Sequence, residues 1–144
     1  MTAPTAADHQ ALSAALSARG LGGARVAIVA GSGLGALAES VDGGVRVAFD
    51  ALEGMPESRV AGHAGAFVRG RLAGVEVLVQ LGRAHLYEGH TAQVVARPVR
   101  ALAQLGVRGV LLTNAAGSLR REWGLGTLMR NVDHLNGQRA TPLA

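Results

Sequence analysis

Three short segments of the 144-residue chain hold residue types that suit the binding of small anions. They are GSGLG at 31–35, GRAHLYEGH at 82–90 and NAAGS at 114–118. Each follows an apolar run that predicts a strand. Ligands of open α/β sheets bind just beyond the carboxyl ends of the strands. We therefore expect the three segments to share one site.

The first segment is a glycine-rich turn, which exposes backbone N–H groups before a short predicted helix. Ser32, between Gly31 and Gly33, adds a hydroxyl donor. A second interpretation is a dinucleotide fingerprint, because the pattern Gly-x-Gly-x-x-Ala begins at Gly31 and Asp50 lies about 20 residues further on. The helix between them has room for barely two turns, which is short for a dinucleotide crossover. A plain tight connection without a ligand is the third alternative.

The second segment concentrates polar side chains that could hold a phosphate and a sugar. Arg83 and His85 are two residues apart, so on extended backbone both face one way. Arginine offers a fork of donors to two phosphate oxygens, and histidine offers a third donor. Tyr87 and Glu88 suit sugar hydroxyls, or Glu88 could orient His85. The alternative is a solvated loop of unrelated polar residues.

In the third segment, Asn114 can hold the turn through its own backbone, and the alanines after it let a ligand approach main-chain N–H groups.

His63 lies between glycines in GHAG at 62–65 and is either a gate to the anion site or an exposed loop residue. The remaining histidines are interpreted as surface or structural: His9, His90 and His134. No pair has the i, i+4 spacing of a helical metal site, so we expect no metal.

Composition narrows the class of protein. The hydrophobic fraction is 49% and the charged fraction 17%, which excludes intrinsic disorder. There is no cysteine, and the net charge of +4 comes from scattered arginines with few aromatics, so we expect no nucleic-acid partner. Neither a signal peptide nor an apolar run of about 18 residues is present, so we expect a cytoplasmic protein without a membrane partner.

Hydrophobic periodicity predicts an α/β fold with a mixed central β-sheet flanked by helices, in a single domain over 1–144. The predicted helices are 5–19 and 91–105, the second capped by Thr91, kinked at Pro98 and stopped by Gly106. The predicted strands are 25–30, 45–49, the hairpin 67–72 and 75–81, and a buried strand at 107–113. Residues 127–136 resemble a further strand, but Arg130 and Asn131 interrupt it, so it should be exposed or poorly formed.

The four motifs GSGLG at 31–35, GHAG at 62–65, GRAHLYEGH at 82–90 and TNAAGSL at 113–119 together resemble purine nucleoside phosphorylases of the trimeric, low-molecular-mass type. The resemblance implies a pentosyltransferase of purine salvage that uses phosphate to cleave the N-glycosidic bond of a purine (deoxy)ribonucleoside. Its products are the free base and (deoxy)ribose 1-phosphate. Inorganic phosphate is the co-substrate, and no cofactor or metal is implied. If the fold is completed, the resemblance also implies a homotrimer.

The resemblance assigns a role to each motif residue. It implies that phosphate is bound by Ser32, His63, Arg83, His85 and the Ala115 N–H. It places Tyr87 against the ribose. The residues implied to support these groups are Gly31, Gly33, Glu88 and Asn114.

The resemblance covers about the N-terminal half of the family's chain, so the fold is expected to be incomplete. The residues that grip the purine belong to the other half. Three alternatives therefore stay open beside a phosphorylase: a non-catalytic phosphate- or nucleoside-binding half domain, a decayed fragment, and a dinucleotide-binding α/β domain.

Overall fold

A five-stranded mixed sheet lies at the centre of the fold. The computed structural model describes residues 6–57, 65–138 and 140–143. In chain order, the elements are α1 (Ala6–Ala18), β1 (Val26–Ala30), β2 (Asp42–Ala48), β3 (Ala66–Leu72), β4 (Val75–Leu81), α2 (Ala92–Gln104) and β5 (Gly109–Leu112). Three short 3₁₀ helices join them, at Gly35–Ser40, Phe49–Ala51 and Leu86–Glu88. This confirms the predicted α/β class and the order of its elements.

The sheet order is β2-β3-β4-β1-β5. β1 runs parallel to both β4 and β5, whereas β3 is antiparallel to β2 and β4. The predicted β3–β4 hairpin forms, and both residues of its turn, Ala73 and Gly74, have positive φ as tight hairpins require. The parallel strands β4, β1 and β5 therefore end side by side, and the three anion-type segments leave the same edge of the sheet.

This topology contradicts the dinucleotide interpretation. A dinucleotide-binding unit needs an α-helical crossover between parallel strands of one sheet half. Here β2 lies at the edge of the described sheet, with β3 and β4 between it and β1, and it is antiparallel to its neighbour β3. The connection to it is the 3₁₀ helix Gly35–Ser40, which is too short for a crossover helix. Asp50 then falls in a separate 3₁₀ turn after β2.

The two faces of the sheet are covered differently. On one face, α1 and α2 pack through a buried cluster that includes Leu12, Leu16, Phe67, Leu78 and Leu102. Thr91 caps α2, because its Oγ1 accepts a hydrogen bond of 3.3 Å from the backbone N of Val94. Pro98 lies inside α2 without ending it. On the other face, the apolar residues of the sheet are covered by the 3₁₀ helix Gly35–Ser40.

The prediction of a buried strand at 107–113 is wrong about burial. Among the described strands β5 pairs with β1 alone, and the exposed fraction of Leu112 is 67%. An edge strand buries its side chains only where another layer covers it, and little of the described chain lies over β5. After β5 the described residues form no helix or strand, and Arg130 and Asn131 are exposed, in line with their interruption of the apolar pattern. Among the described residues, no helix has both the length and the apolar character needed to cross a membrane.

Candidate anion-binding site

A cavity of about 450 Å³ opens at the carboxyl ends of β1 and β4. The first two anion-type segments meet there, one from each strand. The cavity is lined by Ala30, Gly31, Ser32, Gly33, Gly35, Ala38, Glu39, Arg46, Leu81, Gly82, Arg83 and His85. The structure thus brings Ser32, Arg83 and His85 together, whereas no residue of the third segment lines the cavity.

Gly31 is fixed at the end of β1 by the neighbouring strand end. Its backbone N donates to Thr113 Oγ1 at 2.8 Å, and that hydroxyl donates in turn to the carbonyl of Val29 at 2.9 Å. A Cβ on residue 31 would lie 2.5 Å from the Thr113 carbonyl oxygen, so the close approach requires glycine. Thr113 thereby joins the ends of β1 and β5, a role that sequence reasoning missed.

Arg83 is held by the same residue. Its Nη1 donates to the Thr113 carbonyl at 2.8 Å, and the side chain is partly buried. Upstream, the Gln80 side chain is 2% exposed and its Nε2 donates to the Gly82 carbonyl at 3.0 Å. The bond to Thr113 orients the guanidinium through one N–H group, and its other N–H groups can donate to a ligand.

His85 is positioned by Glu88. One carboxylate oxygen, Oε1, accepts from the backbone N of His85 at 2.8 Å and lies 2.9 Å from its ring Nδ1. Because the Glu88 side chain is only 4% exposed, this carboxylate is a firm anchor for the ring. A bond at Nδ1 leaves Nε2 for a ligand, to which a protonated ring donates. The two contacts agree with the expectation that Glu88 could orient His85.

Comparison with known proteins assigns the chain to a family. Residues 25–144 match the family model of the phosphorylase superfamily. The chain belongs to the phosphorylase superfamily.

Similar curated members of the phosphorylase superfamily are purine nucleoside phosphorylases. Purine nucleoside phosphorylase 1 of Bacillus subtilis is 40% identical over 119 residues, which are 83% of this chain and 44% of that protein. The enzyme of Bos taurus is 39% identical over 112 residues, 78% of this chain and 39% of that one. The family resemblance is thus confirmed, and the chain spans less than half the length of these relatives.

Solved structures of purine nucleoside phosphorylases are also similar to this chain. The purine nucleoside phosphorylase of Schistosoma mansoni, in complex with acetate, is similar with a TM-score of 0.76 and 33% identity. A purine nucleoside phosphorylase in complex with ribose-1-phosphate has a TM-score of 0.77 and 32% identity. Each similarity covers 88% of this chain and 46% of the solved one. The mixed sheet is therefore the phosphorylase-superfamily fold, of which this chain holds a part.

Not every residue that the superfamily motifs single out reaches the cavity. Tyr87 stacks on the His85 ring with centroids 4.7 Å apart, but it is 76% exposed. Asn114 and Ala115 are exposed at the end of β5 and do not line the cavity. His63 lies outside the described residues. Thr113, the residue before the third segment, contacts Gly31 and Arg83, and the roles of Tyr87, Asn114, Ala115 and His63 stay predictions.

Two cavity residues, Glu39 and Arg46, were not singled out from the sequence. The alternation in β2 carried a signal for one of them, since Arg46 precedes the buried Val47 and must face the other side of the sheet.

The other histidines lie elsewhere: His9 is buried beside α2, His90 Nε2 is 2.8 Å from the Glu57 carbonyl, and His134 is exposed. Within the described ranges, no cluster of three metal-ligating side chains occurs.

Proposed function

We propose that this chain forms the phosphate-binding part of a purine nucleoside phosphorylase. The observation that carries the proposal is the convergence of Ser32, Arg83 and His85 on one cavity at the ends of parallel strands. The similarity to purine nucleoside phosphorylases, one of them solved with ribose-1-phosphate, supports phosphate as the anion and a purine nucleoside as its partner. Inorganic phosphate acts as co-substrate, and the proposed reaction uses no organic cofactor or metal.

The site's contribution to such a reaction is positioning and charge. Arg83 is anchored to Thr113, and His85 is anchored to Glu88, so both can grip phosphate without first being ordered. Phosphate attacks the anomeric carbon of the ribose while its negative charge stabilises the cationic, oxocarbenium-like sugar as the purine leaves. Tyr87 contacts the ribose, and His63 and the Ala115 N–H complete the phosphate shell.

The purine itself has no assigned partner among the described residues. Since the chain spans 44% of the Bacillus subtilis relative, the groups that hold the base are proposed to lie in the part of the family's chain that is not matched here. This coverage also favours a second candidate, a domain that binds phosphate or nucleoside without turnover. A completed fold is proposed to act as a homotrimer in the cytoplasm.

The first test measures phosphate binding by the 144-residue chain and by its Arg83→Ala variant, with titration calorimetry as the readout. We expect the variant to bind phosphate more weakly by about 1.5–3 kcal/mol, the usual loss for a charged hydrogen bond. Arg108→Ala is the matched control, because Arg108 is exposed and precedes β5 at the opposite end of the sheet. Equal phosphate affinity in all three proteins would remove Arg83 from the site.

An activity assay then separates the two candidates. Phosphate-dependent conversion of inosine to hypoxanthine by the chain supports the phosphorylase. Saturable phosphate binding that depends on Arg83, without conversion of inosine, supports the binding domain. Absence of any Arg83-dependent phosphate binding contradicts both.

A further inference from the structure

Arg46 and Glu39 line the anion cavity but lie outside the three anion-type segments. Arg46 lies on β2 opposite Val68 of β3, on the sheet face away from α1 and α2. The 3₁₀ helix Gly35–Ser40 covers that same face and carries Glu39. Both side chains line the cavity, and both are exposed.

The charges of the cavity lining depend on these two residues. Apart from His85, the formal charges of the lining are those of Arg46, Arg83 and Glu39, two positive and one negative, which leaves a net charge of +1. Without Arg46 the remaining two would cancel. Neither Arg46 nor Glu39 forms an ion pair with another residue of the described chain, so no local partner neutralises them.

We propose that Arg46 is a specificity-determining residue of this site. Its positive charge offsets the negative charge of Glu39, so that the cavity lining is net positive and favours a dianion such as hydrogen phosphate over a monoanion. The inference rests on the proposed function, since it takes phosphate as the ligand. Coulomb attraction scales with the charge of the ligand, so a dianion gains twice as much as a monoanion. Because Arg46 is exposed, it acts through a field that salt screens, whereas Arg83 makes contact.

The test is a charge cycle measured as the dissociation constant of inorganic phosphate by calorimetry at a pH of about 8, where phosphate is a dianion. At low salt, we expect Arg46→Ala to weaken binding about two- to fivefold, the range typical of exposed charges. Glu39→Gln should tighten binding by a similar factor, and the double variant should return to within about twofold of the original chain. Arg46→Lys should bind like the original, as should the remote control Arg108→Ala.

Two further conditions sharpen the result. At about 0.5 M sodium chloride the Debye length falls to a few ångströms, so the effects of Arg46→Ala and Glu39→Gln should largely vanish. A monoanion such as nitrate should respond less to Arg46→Ala than phosphate does. Unfolding without ligand should give the same melting temperature for every member of the cycle, because both side chains are exposed.

The outcomes separate this inference from the function on which it rests. If Arg83→Ala loses phosphate affinity and Arg46→Ala does not, the assignment of Arg46 is wrong and the phosphate site stands. The assignment is also wrong if Glu39→Gln weakens binding, or if the loss in Arg46→Ala persists at high salt. If the unsubstituted chain shows no Arg83-dependent phosphate binding, the proposed function fails, and the role of Arg46 fails with it.

Discussion

The chain contains two regions that differ in the burial of their apolar side chains. The described residues from α1 to α2 are called the packed region, and those after β5 are called the exposed region. In α1 to α2, residues such as Leu12, Phe67 and Leu78 are fully buried between the helices and the sheet. After β5, Leu125 and Leu135 are fully exposed. The difference teaches that an apolar side chain is buried only where the chain supplies a second layer to cover it. In the described residues the first region has that layer and the second does not.

The anion cavity belongs almost wholly to the packed region. Ser32 and Arg83 follow strands that have neighbours on both sides, so their positions are fixed by the sheet. The exposed region touches the site through Thr113, and it returns to the packed region where Arg100 donates to the carbonyl of Pro142. We therefore expect substitutions in the packed region to affect stability and the site, and those in the exposed region to affect neither unless they are close to Thr113.

The largest expected contrast is between two apolar truncations. Phe67→Ala removes a fully buried ring that packs on Phe49 with centroids 5.2 Å apart. We expect it to lower the free energy of unfolding by about 3–5 kcal/mol, the range for buried aromatic truncations. Leu125→Ala, at a fully exposed residue, should change it by less than about 0.5 kcal/mol.

Urea unfolding of the two variants checks this contrast. A large loss of stability in Leu125→Ala would mean that the second region is packed in solution, and the comparison of the two regions would then be wrong.

A second, smaller contrast concerns the junction between the regions. Gly31→Ala would place its methyl group against the Thr113 carbonyl, so the ends of β1 and β5 or the turn at 31–35 must shift. We expect a loss of about 1–3 kcal/mol in the free energy of unfolding, as for other overpacked sites, together with weaker phosphate binding. Gly109→Ala is the matched control at the start of β5, because a Cβ there meets nothing within 4 Å. Equal stability and phosphate affinity in the two variants would show that the Gly31–Thr113 contact does not hold the site.

Sequence reasoning reached the packed region more completely than the exposed one. Strand periodicity and the Ala73-Gly74 turn predicted β1, β3 and β4, since local patterns there agree with the final packing. The burial of 107–113 was predicted wrongly, because an apolar run does not say whether another layer exists to cover it. Thr113 and Arg46 were missed for a different reason: alternation in β2 indicates the sheet face on which Arg46 lies, but a single sequence does not fix which strands become neighbours in the sheet.

The smallest expected effect is a pH dependence that arises in the packed region. His9 of α1 is 6% exposed, and Arg100 Nη1 lies 3.3 Å from its Nε2. Burial lowers the pKa of His9, and the positive charges of Arg100 and Arg97 lower it further, while Asp8 opposes them. The folded chain therefore resists a proton that the unfolded chain accepts below a pH of about 6.5.

The sign of the effect follows from this proton balance. Above that pH the histidine is neutral in both states, so it does not change the free energy of unfolding. As the pH falls, the unfolded state binds the proton more readily than the folded state, and the free energy of unfolding decreases. His9→Gln removes this contribution, so the stability of the original chain relative to the variant should fall between pH values of about 7.5 and 5, measured by urea unfolding. His134→Gln, at an exposed residue of the second region, should leave the pH dependence unchanged. If both variants alter it equally, burial between α1 and α2 is not its cause, and in this respect the two regions do not differ.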